Sequence, residues 1–156
     1  MAMGRSGEVF VHTYKIVNGQ AKPETVLTST AYPASGSYID VSGCERFHCL
    51  IHWGTIAGGD TPVATLQETD SASGTLDDID TTYAKHTGAN DDDGEWVSFT
   101  VEVDQLATDH HFVACTLSGI SGSTYGEIFF LLPLMSLPVT QTTTVLPSAS
   151  QHELVG

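Results

Sequence analysis

Strict two-residue alternation of apolar side chains constrains this chain more than any other feature. Phe47, Cys49, Ile51 and Trp53 alternate with His48, Leu50 and His52. Val97, Phe99, Val101 and Val103 alternate in the same way with Trp96, Ser98, Thr100 and Glu102. A period of two places each apolar set on one face of an extended strand, because successive side chains point to opposite sides. Further strands are expected over residues 8–17, 24–29, 38–41, 61–70, 76–79, 111–118 and 125–132, where β-branched and aromatic residues are frequent. Turn signals separate the runs: Asn18-Gly19, Gly36, Gly58-Gly59-Asp60, Ser73-Gly74, Asp93-Gly94 and Ser121-Gly122. Only residues 104–108 read as a helical turn, with Asp104 as its N-cap. No longer window has helical periodicity, and no internal repeat is present. The expected fold is all-β: an antiparallel β-sandwich or jelly-roll-like barrel.

At 156 residues the chain suits one domain. Area scaling for that size buries roughly two-thirds of the unfolded surface, enough for a core without metals or disulfides. The expected organisation is an N-terminal arm over residues 1–7, a β-sandwich domain over 8–135 and an extended C-terminal arm over 136–156. The last segment contains Pro138 and Pro147, few charges and no turn glycine before its terminus. It reads either as a frayed tail or as an arm that adds a strand to a neighbour's sheet, since residues 140–146 are strand-prone and uncharged. In the second reading Leu137, Val139, Val145, Leu146, Leu154 and Val155 make the neighbour or partner contacts.

Nineteen acids stand against five bases, a formal charge of −14. That acid content is ordinary for the length; what is missing is Lys and Arg. Salt adaptation is left open by this pattern. Nucleic-acid binding is not expected, because phosphate neutralisation needs clustered Lys and Arg, and attraction to anionic lipid headgroups fails for the same reason. No targeting or membrane-spanning segment is expected: the first residues are polar, and the most apolar stretch, 128–135, is short and broken by Pro133. Cys44, Cys49 and Cys115 are odd in number, so free, buried thiols and folding in a reducing cytoplasm are expected.

Spacing decides which chemical motifs the chain can carry. His48 and His52 share a strand face but lie about 13 Å apart at four strand residues, too far for one zinc with ligands at about 2 Å. His110 and His111 are adjacent and would face opposite ways on a strand. The acidic run around Asp91, Asp92 and Asp93 fails the EF-hand pattern, since Ala89 and Thr100 stand where ligands are required. A looser calcium site from Asp77, Asp78, Asp80 and Asp91–Asp93 competes with a solvated acidic loop. Residues 119–122 lack the glycine spacing of a nucleophile elbow. Glu68 and Asp70 on one strand face form a conceivable carboxylate pair, but two exposed acids are more simply surface. No enzyme activity, cofactor or metal is expected.

The stretch 38–54 contains Asp40 at a strand end, a turn at Gly43, Arg46, and an apolar strand closed by Gly54. It is followed by the strand 64–70 ending at Asp70, then by 101–106 with 111–117, a short turn preceding a strand. Together these resemble the capsid decoration or cement proteins of tailed phages, over about residues 36–134. The resemblance implies a virion structural protein on the capsid exterior, made in the host cytoplasm. Its implied partners are the major capsid protein and other copies of itself, with a homotrimer favoured. It implies no catalytic residue. Arg46, one of two arginines, is expected to pair with Asp40 across the Gly43 turn and fix register; the alternative is a capsid contact. Competing expectations are a head–tail completion or tail-tube protein, and a receptor- or glycan-binding module using Trp96 and Tyr125.

Overall fold

The computed structural model describes residues 14–19, 26–79, 84–89 and 91–133. These residues form an antiparallel β-sandwich, with β1 (Tyr14–Asn18), β2 (Ala31–Tyr32), β3 (Ile39–Asp40), β4 (Arg46–Trp53) and β5 (Val63–Thr69). The second half adds β6 (Asp77–Asp78), β7 (Lys85–Thr87), β8 (Trp96–Glu102), β9 (Phe112–Ser118) and β10 (Gly126–Pro133). One sheet has the order β1-β10-β4-β8. In the other, β9 and β5 are central, β2 and β3 pair with β9, and β6 and β7 pair with β5. The expected arms, 1–7 and 136–156, lie outside the described residues.

Alternation decides which side chains fill the space between the sheets. On β4 the even-numbered partners of the apolar set stay half-covered, while Phe47, Cys49, Ile51 and Trp53 are fully buried. The register places Cys49 beside Phe130 on one side and Phe99 on the other, so inward residues of three strands form continuous rows. The second sheet answers with Ala64, Leu66, Val113, Cys115 and Leu117, and Leu27, Val41 and Ile56 close the ends of the core. Full burial of each larger aliphatic or aromatic side chain contributes about 1.5–3 kcal/mol, an upper figure because unfolded chains are partly compact. Gly126 opens β10 because a Cβ there would collide with the His52 carbonyl and with Leu27, which occupies that space.

Several elements differ from the sequence expectation. Of the segment 24–29, the described residues 26–29 contribute only a bridge from Val26 to Tyr125, and the short β2 and β7 carry too few residues for a period to show. The helical turn is a 3-10 turn at Val103–Gln105 with Glu102, not Asp104, as its N-cap. There the Glu102 N–H donates to the Gln105 side-chain oxygen at 3.1 Å, which places the cap two residues earlier than Asp104. The three cysteines are free and buried, as expected. Burial raises the Cys49 thiol well above its ordinary pKa, and contact with Cys115 from the facing sheet adds to the shift.

Candidate interaction face

Because β4 and β10 turn one side inward, their other side chains meet on the outer surface of the four-stranded sheet. Register defines the rows. Glu127, His52 and Trp96 lie side by side; next come Asn18, Phe129, Leu50 and Ser98; then Ile16, Leu131, His48 and Thr100. Tyr125 continues the outward series of β10, and Val26 bridges to it. The three most exposed large hydrophobic side chains among the described residues, Val26, Tyr125 and Trp96, therefore share this surface, Trp96 at 57 % exposure.

Side-chain contacts fix the polar members. The His52 and Trp96 rings stack with centroids 4.6 Å apart. His48 Nδ1 lies 2.9 Å from the Thr100 hydroxyl. Burial lowers the His48 pKa, with nearby Arg46 acting in the same direction and Glu102 against it. Glu127 is the one acid on these rows and stands opposite His52, whereas Glu102 at the sheet's end meets Arg46 at 3.4 Å. On a chain of charge −14 this makes a surface of low charge, in which apolar residues alternate with His52, Asn18, Ser98, His48 and Thr100. The outward side of the second sheet is different: Thr65, Thr116, Gln67 and Asp78 dominate, tied by a Gln67 to Asp78 hydrogen bond of 2.7 Å and a Thr116 to Gln67 bond.

The expected Asp40–Arg46 pair does not form. Arg46 stands opposite Glu102 in the β4–β8 register, and that strand neighbour takes its guanidinium. Asp40 instead accepts the Ser42 N–H at 2.9 Å. Partial burial opposes ionisation of Asp40, but the Ser42 bonds, then His111 and Lys15, bring its pKa below the usual value. The arm residues Leu137, Val139, Val145, Leu146, Leu154 and Val155 lie outside the described residues. Glu68 is buried rather than surface-lying; it accepts the Ala107 N–H at 2.8 Å and stands 3.6 Å from His110. Asp93 caps the Ile56 N–H at 2.7 Å and Asp92 the Ala89 N–H at 2.7 Å. No group of three or more potential metal ligands occurs among the described residues. The segment 119–122 wraps the Asp60 carboxylate through Ser121 and Gly122.

Leu50, Phe129 and Leu131 were not among the expected contact residues. Their signal was present: 128–132 is apolar at every position, and a strand apolar on both faces needs cover on both. Comparison with known proteins finds no family model and no curated protein that matches the chain.

Proposed function

We propose that this chain is a virion structural protein that binds the outer surface of an assembled capsid and stabilises it. One observation carries the reading: an acid-rich sandwich gathers partly exposed Leu50, Phe129 and Leu131 with exposed Tyr125 and Trp96 on one sheet face that carries little charge. Contiguous exposed apolar surface on a soluble domain marks a contact site. Acidic loops on the remaining surface suit a protein held by one face with the rest in solvent. Binding to the assembled shell alone stabilises that state by mass action, and repeated weak contacts on a lattice add by multivalency. The segments 1–7 and 136–156 serve in this reading as arms to neighbouring subunits. The sequence resemblance to phage decoration proteins points the same way.

The test is the copy number of the chain in purified virions, relative to the major capsid protein, by quantitative mass spectrometry. A ratio near one, or a simple fraction of it, is expected. A handful of copies per particle, or none, overturns the reading. A second reading, a glycan-binding module, is favoured by the placement of exposed Trp96 and Tyr125 on one face. It requires a carbohydrate that raises the melting temperature of the isolated protein.

A further inference from the structure

Both edges of the second sheet are broken. β2 and β3 share one edge as two-residue strands, and β6 and β7 divide the other, with Asp77, Asp78 and Lys85 among their members. Short, interrupted and charged strands are how sheet edges avoid pairing with other chains. β8 lacks these devices. It runs unbroken through Trp96–Glu102 as WVSFTVE, without proline, glycine or lysine, and among the described residues it pairs only with β4.

The ladder phase shows which backbone groups are open. Trp53 donates its N–H to the Glu95 carbonyl at 2.9 Å. Carried along the register through Ile51–Val97 and Cys49–Phe99, this phase turns the odd-numbered amides of β8 toward β4. The N–H and C=O groups of Trp96, Ser98 and Thr100 therefore point away from the sheet. The one charged side chain on β8, Glu102, is met by Arg46.

We infer that β8 is a self-association edge, pairing antiparallel with β8 of a second copy about a two-fold axis at Phe99. Full overlap sets Ser98 opposite Thr100 of the second copy and Trp96 opposite its Glu102. The Trp96 ring, already stacked on His52, then lies beside the Glu102–Arg46 pair of the other chain, where an aromatic face and a guanidinium attract. Phase selects the occupant: the outward N–H and C=O groups of Ser98 and Thr100 meet the same groups of a second β8 in register, and against the general repulsion of two chains at −14 the one acid on this strand is already paired with Arg46. The result is one eight-stranded sheet whose two outer faces are continuous. This is a closed, isologous dimer, in place of the trimer expected from the sequence, and it needs no capsid.

The experiment is the mass of the purified full chain by light scattering across a concentration series, with Ser98→Pro alongside. Wild type is expected to approach twice the 16.6 kDa of one chain. Ser98→Pro removes an outward N–H and no intrachain ladder bond, so it is expected to remain folded by circular dichroism and monomeric. A wild-type monomer at every concentration, a trimer, or a dimer unaffected by Ser98→Pro overturns the inference. Should Ser98→Pro fail to fold, the double variant Ser98→Cys/Thr100→Cys decides: a covalent dimer on mild oxidation is expected, and its absence overturns the pairing. Deleting 136–156 is expected to leave the dimer intact, and its loss would assign the contact to that segment instead.

Discussion

The Thr124 hydroxyl, fully buried, donates to the Asp60 carboxylate at 2.7 Å and accepts the Ala57 N–H at 3.0 Å. Asp60 also takes the Ser121 N–H and hydroxyl and the Gly122 N–H, all within 3.1 Å. One carboxylate thus ties the loop before β5 to the loop before β10, with neutral donors only.

These bonds favour the charged form, led by the Ser121 N–H and the Thr124 hydroxyl, and bring the Asp60 pKa down to about 2 from 3.8. A depressed carboxylate pKa contributes stability that is complete above the unfolded value and is lost as pH falls through the folded one. The melting temperature is therefore expected to fall between about pH 4 and pH 2. Asp60→Asn is expected to melt lower than wild type at pH 7, with the gap closing toward pH 2. A gap independent of pH would remove Asp60 as its source.

Cys49 and Cys115 are both fully buried, and burial holds the Cys49 thiol well above its ordinary pKa. Thiolate, not thiol, is the nucleophile. Alkylation of these two residues in the native protein is expected at least about a thousandfold slower than in denaturant, given a global opening free energy of about 5 kcal/mol or more. Mass spectrometry of time points resolves each site. Rapid native labelling at either would place it at a surface.

Gly119 combines a φ of +72° with a site where a Cβ would strike the Thr61 carbonyl. Gly119→Ala is expected to destabilise by more than about 1 kcal/mol, because strained backbone and steric conflict add. Gly36 has φ +88° with open space around it, so Gly36→Ala carries the backbone term alone and is expected to cost less. Denaturant midpoints of the two variants give the order.

Period two made β4, β5, β8, β9 and β10 legible, because each is long enough for alternation to repeat. It could not show β2 or β7, where two or three residues carry no period and pairing with β9 or β5 decides the conformation. The choice of partner for Arg46 was hidden for a related reason. Asp40 is nearer in sequence, but Glu102 becomes the neighbour only when β8 is laid against β4. The outer face was half-visible: unbroken apolarity at 128–132 required two covered sides, while its alignment with Leu50 and Trp96 needed the strand order.

Leu50 and Ile51 are adjacent on β4 and lie on opposite sides of the sheet, half-covered and fully buried respectively. Ile51→Ala removes core volume and is expected to cost about 2–5 kcal/mol. Leu50→Asp replaces an apolar contact beside Phe129 with a charge that water still reaches, so its loss in stability is expected to be smaller than that of Ile51→Ala. If the face binds capsid, the order reverses in a co-sedimentation assay on capsids stripped of this protein. Leu50→Asp is expected to lose binding by at least about tenfold, since about 1.4 kcal/mol of contact suffices for that factor. Folded Ile51→Ala, assayed well below its melting temperature, is expected to bind as wild type does. Normal binding by folded Leu50→Asp would exclude this face from the contact, and the capsid reading would then rest on the arms alone.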